Sequence, residues 1–97
     1  MVINDRSTLV AGPMPVVLRV RGYRFWFYEA DLEERAHVHV GKESSEAKFR
    51  LEPVEYVRSR GFRQHQLNEI RDILIERQQE ILAAWRREQQ KRGHREG

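Results

Sequence analysis

Two short segments, Ala36-His37-Val38-His39-Val40 and Glu46-Ala47-Lys48-Phe49-Arg50-Leu51, alternate polar and apolar residues with period two. Each reads as a half-buried strand. Successive strand side chains point to opposite faces, so His37 and His39 share one face while Val38 and Val40 take the other. In the second segment Lys48 and Arg50 share a face, opposite Ala47, Phe49 and Leu51. Folding the two strands back around Lys42-Glu43-Ser44-Ser45 leaves one register that satisfies both patterns. It sets His39 opposite Lys48, His37 opposite Arg50, Val40 opposite Ala47 and Val38 opposite Phe49. Directly paired residues have Cβ atoms about 5 Å apart. The expectation is an exposed patch of two imidazoles and two cations above an apolar underside.

A second hairpin precedes this one. Val16, Leu18 and Val20 alternate up to Arg21-Gly22, and Tyr23, Phe25 and Phe27 alternate away from it. A two-residue turn there pairs Val20 with Tyr23, Leu18 with Phe25 and Val16 with Phe27. The reverse face carries Val17, Arg19, Arg24, Trp26 and Tyr28. Glu29 to Arg35 is a charged connection without a period. After Glu52-Pro53 strand pairing is expected to end, because proline fits the first turn of a helix. A short helix is predicted over residues 53–60, closed by Gly61. A long helix is predicted over residues 64–90, with Leu67, Ile70, Ile73, Leu74, Ile81 and Trp85 forming one apolar stripe. The predicted class is therefore α+β: an antiparallel sheet of about four strands in two hairpins, covered on one face by helix.

With 97 residues the chain makes one domain, here expected over residues 14–90. Residues 1–13 read as a loose extension and residues 91–97 as a basic flexible tail. Charged residues make up 34% of the chain, in keeping with a long solvated helix, and the formal charge of +3 leans towards an acidic partner. Much of that excess lies in Arg86, Arg87, Lys91, Arg92 and Arg95. They are read as a solvated helix end, which suits cations, or as phosphate contacts. The absence of cysteine excludes disulfides, thiolate metal ligands and a cysteine nucleophile. No apolar run approaches the roughly 20 residues needed to span a bilayer. The expectation is a cytoplasmic protein.

Several stretches together resemble a known family. Met14-Pro15, Leu18, Gly22-Tyr23-Arg24-Phe25 and Phe27-Tyr28 match its opening. His37-Val38-His39-Val40, Glu46-Ala47-Lys48, Leu51-Glu52-Pro53-Val54, Arg60-Gly61-Phe62, Leu67, Ile70 and Trp85 match the rest. The chain resembles the uncharacterised prokaryotic family known as domain of unknown function 4160. Members of that family are often encoded beside a second small protein, as in toxin–antitoxin modules. The resemblance implies a toxin-like or effector protein, or a partner-dependent regulator, with a cognate small protein as partner. The family pattern has proline where this chain has Ala36, and a serine-containing turn where it has Glu29-Ala30-Asp31-Leu32.

Three chemical readings follow from the residues. In the first, His37 and His39 act as base and acid in metal-independent RNA cleavage, since histidine ionises near neutrality. Lys48 and Arg50 would then offset charge developing on phosphate, with Glu46 and Glu52 as further acid–base groups. In the second, the two histidines hold a metal, for which zinc usually requires a third protein ligand. Asp31, Glu33, Glu34 or Glu46 would supply it, but Lys48 and Arg50 would repel the cation. No metal and no cofactor are therefore expected. In the third, Arg19, Arg24, Trp26 and Tyr28 form an exposed surface that stacks RNA bases or docks a protein partner. The alternative to catalysis is a non-catalytic binding module, docking a partner or a second copy through the Trp26 face or the long helix.

Overall fold

A computed structural model describes residues 16–94, with side chains through residue 91. The expected leader over residues 1–13 and the end of the basic tail lie outside the described residues. The described chain forms five strands and two helices: β1 (Leu18–Val20), β2 (Tyr23–Trp26), β3 (His37–Lys42), β4 (Ser45–Leu51), β5 (Val54–Arg60), α1 (Gln64–Glu76) and α2 (Gln78–His94). Every strand pairs antiparallel with its neighbour in sequence, so the sheet is a simple meander.

The first two hairpins pair as the alternation requires. Val20 faces Tyr23 and Leu18 faces Phe25, and His37, Val38, His39 and Val40 face Arg50, Phe49, Lys48 and Ala47. Val16 lies ahead of β1 and is exposed, so its expected pairing with Phe27 is not part of the ladder. Arg21 and Gly22 both have positive φ, 54° and 85°. This is the type I′ turn, whose twist matches that of the flanking strands.

Beyond Leu51 the structure corrects the sequence expectation. Glu52-Pro53 is a tight turn with a cis peptide bond, and residues 54–60 form a fifth strand rather than a helix. Lys48 faces Arg58 while Phe49 faces Tyr56, so Val57 is an extra residue in a β-bulge. The bulge breaks the period-two pattern and leaves Val54 and Val57 three residues apart, a spacing that imitates a helix. Gly61 then ends a strand, with φ 92°.

The single long helix is in fact two. The chain leaves helical geometry at Arg77 (φ −105°, ψ 17°), inside the polar stretch that separates Leu74 from Ile81. Ile70, Ile73 and Leu74 from α1 and Ile81, Leu82 and Trp85 from α2 all pack on one sheet face. There they meet Tyr23, Phe25, Phe27, Val38, Val40, Ala47, Phe49 and Leu51. Gln78 Nε2 donates to the Leu51 carbonyl at 2.7 Å, fixing the start of α2 against the end of β4. Among the described residues no α-helix covers the other sheet face. A 3-10 turn (Glu29–Glu33) folds over one end of it, with Leu32 buried in the core and the Leu32 carbonyl accepting from Gln89 Nε2 at 2.8 Å.

Candidate functional site

The open sheet face gathers both groups of residues singled out from sequence. Because Trp26 pairs with His39, and His39 with Lys48, one row across the sheet runs Trp26, His39, Lys48, Arg58. Arg19 and Arg24 face each other on the same side at its β1–β2 end. The histidines do not form an exposed patch, however. His37 is 3% and His39 6% exposed. Three neighbours close over them: the Trp26 ring, stacked at 6.0 Å on His39, the Tyr28 ring, edge-on to it at 4.5 Å, and the 3-10 turn. Trp26 is likewise half-buried rather than an open docking surface, and its indole N–H is buried without a partner among the described residues. Space for the indole comes from Gly41: a Cβ there would stand 2.9 Å from the Trp26 ring.

The group that closes the site is Asp31. A single oxygen, Oδ2, lies 2.9 Å from His39 Nε2 and 2.9 Å from His37 Nε2. The His39 contact is an aligned hydrogen bond. The His37 contact is not aligned, and among the described residues the buried His37 Nε2 has no hydrogen-bond partner. At the other side of its ring His37 Nδ1 lies 2.9 Å from the Arg35 carbonyl. A carbonyl only accepts, so Nδ1 carries the hydrogen and, in the neutral ring, Nε2 carries a lone pair. Burial pushes His39 below the ordinary histidine value, with Asp31 opposing the shift. Burial by itself would raise Asp31, but the hydrogen bond from His39 and the closeness of both imidazoles outweigh it and hold the carboxyl below its ordinary value.

Two cavities flank the histidines. One, of about 310 Å³, is lined by His39, Glu46, Lys48, Arg58, Ser59 and Arg60. The second, of about 250 Å³, is lined by Glu34, Arg35, His37, Lys48, Arg50 and Val57. Lys48 is common to both. Arg50 is engaged by Glu55 at 3.0 Å and Arg60 by Glu46 at 3.4 Å. Lys48, Arg58 and Arg35 form no ion pair among the described residues. The outcome is a polar groove with surplus positive charge and a buried imidazole–carboxylate cluster in its wall.

Sequence reasoning brought His37, His39, Lys48 and Arg50 together, as found. It missed Arg58 and Arg60, which the expected helix over 53–60 removed from the sheet. A period-two reading that allowed one bulge after Tyr56 would have recovered them.

No curated protein and no solved structure matches the chain. Among the described residues no helix is long and apolar enough to cross a membrane. A family model does match, over residues 22–86, the segment running from the first turn to the middle of α2. With well over half of its length inside that match, the chain belongs to the family described as Domain of unknown function (DUF4160).

Proposed function

We propose that the protein binds single-stranded RNA along the open sheet face, as the effector component of a two-protein, toxin–antitoxin-like module. The observation that carries the RNA reading is the groove itself: Lys48, Arg58 and Arg35 line it without carboxylate partners among the described residues. Phosphate contacts of this kind supply most sequence-independent affinity for nucleic acid. Arg19 and Arg24 extend the positive strip towards β1. The family resemblance supports the two-protein arrangement, and an acidic partner protein would compete with RNA for the same cations.

Binding is better supported than metal-free cleavage. General acid–base catalysis needs two groups that reach the substrate and hold different protonation states. Here both imidazoles are buried and lean on one carboxylate oxygen.

The test is NMR mapping of the full chain with a single-stranded RNA oligonucleotide. Amide and side-chain shifts are expected to concentrate on β3, β4 and β5, around Lys48 and Arg58. Shifts confined to the outer surfaces of α1 and α2, or none at saturating RNA, would overturn the proposal.

A further inference from the structure

We propose that Asp31, His37 and His39 form a binding site for a divalent cation of the zinc class in the wall of the groove, filled whether or not RNA is bound. One carboxylate and two imidazoles present Asp31 Oδ2 and the ring nitrogens of His37 and His39, all within 4.8 Å of one another. Mixed imidazole and carboxylate donors suit zinc and its first-row neighbours.

His37 is buried, and its Nε2 lies 2.9 Å from Asp31 Oδ2 without making a hydrogen bond among the described residues. Its hydrogen is committed to the opposite nitrogen, where Nδ1 donates to the Arg35 carbonyl. In the neutral ring that leaves a nitrogen lone pair beside a carboxylate oxygen in a site shielded from water. An ion between them converts the mutual repulsion into two bonds. A backbone carbonyl that holds Nδ1–H is also the usual outer-shell support of an Nε2 metal ligand, since it fixes tautomer and ring orientation.

His39 joins by a change of tautomer. Its Nε2 now donates to Asp31 Oδ2; with the hydrogen on Nδ1, Nε2 is free to coordinate. Zinc bonds of about 2.0–2.1 Å separate tetrahedral ligand atoms by roughly 3.3 Å, so the 2.9 Å contacts need to widen by less than about half an ångström.

Three protein ligands leave one position open. It lies towards the groove, whose cavities His37 and His39 help to line. By sequence, Lys48 and Arg50 argue against a metal at the histidines. In the structure Arg50 is engaged by Glu55. Lys48 borders both cavities, where its charge favours an anion as the fourth ligand.

The experiment uses the untagged full chain, freed of metal by chelator and dialysis. It is titrated with zinc chloride by calorimetry and followed by long-range 1H–15N spectra of the imidazoles. One equivalent is expected to bind, moving the Nε2 resonances of His37 and His39 and leaving exposed His65 unchanged. Asp31→Asn preserves the side-chain shape and is expected to weaken binding at least tenfold, with folding checked by circular dichroism. Cobalt in place of zinc is expected to give the visible spectrum of a low-symmetry site. Absence of saturable binding, binding that leaves His37 Nε2 unmoved, or full affinity in a folded Asp31→Asn protein would each overturn the proposal. The imidazole spectra of the unsubstituted chain decide the matter even if the variant fails to fold.

Discussion

Removing Lys48 and Arg58 together, as Lys48→Gln/Arg58→Gln, tests the groove by its salt dependence. Both side chains line the larger cavity and neither is held by a carboxylate among the described residues. With Arg35 they make three unpaired cations along the groove. For single-stranded nucleic acid, each neutralised phosphate contributes about −0.7 to the slope of log affinity against log salt, so three contacts give roughly −2. Raising salt from about 50 to about 200 mM should then weaken binding by roughly twentyfold. The double variant keeps one such contact, so its slope should fall to about −0.7 and its loss over the same range to roughly threefold. Fluorescence anisotropy of a labelled RNA oligonucleotide at several salt concentrations reads both numbers. Arg71→Gln, on the α1 side of the molecule, should leave the slope unchanged. Arg50→Gln should change it less than Lys48→Gln does, because Glu55 already engages Arg50 at 3.0 Å. A double variant with the parental slope, or an Arg71→Gln protein that loses as much, would refute the assignment of the groove.

Trp85, 3% exposed, packs edge-on against Phe27 with ring centroids 5.1 Å apart and reaches the His37 ring at 5.5 Å. Trp85→Ala should cost about 3–5 kcal/mol in urea unfolding, a large part of the stability of a domain this size. Gly41→Ala puts a Cβ 2.9 Å from the Trp26 ring and 3.1 Å from an Arg24 nitrogen. Overpacking of this kind should cost about 1–3 kcal/mol and alter the near-UV circular dichroism of the tryptophans. Tyr23 donates its O–H to Glu69 Oε1 at 2.8 Å. Burial, then that bond and the Glu69 charge, push the phenol from 10.0 up to about 12. Because the folded value lies above the unfolded one, this contribution is whole below about pH 10 and is lost as pH rises through about 12. Urea midpoints of Tyr23→Phe should therefore fall less steeply than those of the parent chain across that window.

A segment is legible in the sequence when it carries one pattern and obscured when it carries two. The β3–β4 register follows from sequence because a one-residue slip would turn Val38, Val40, Ala47 and Phe49 away from the core. The β1–β2 hairpin was readable for the same reason, although Arg21 is an unusual residue for a position with φ 54°. The β5 strand was not, because its bulge at Val57 superimposes a three-residue spacing on an alternating strand. The α1–α2 break lies within a run of polar residues, where neither helix offers an apolar stripe to follow. Burial of the histidines was hidden by the connection before β3. Nothing periodic in Glu29–Glu33 announces a 3-10 turn that seats Leu32 in the core and swings Asp31 onto both rings. Asp31 was nameable as a neighbour of the histidines; its 2.9 Å contacts required the fold.

The bulge in β5 has a consequence beyond the site. This strand is one of the two margins of the sheet among the described residues, and its outward N–H and C=O groups form a template onto which another chain's strand could add. An extra residue at Val57 interrupts that template, and Glu55, Arg58 and Arg60 stud it with exposed charge. Self-association by sheet extension is thereby disfavoured, as is amyloid-like stacking of a short protein with a long terminal strand. The same irregularity that disguised the strand in the sequence thus helps to keep separate copies of the chain apart.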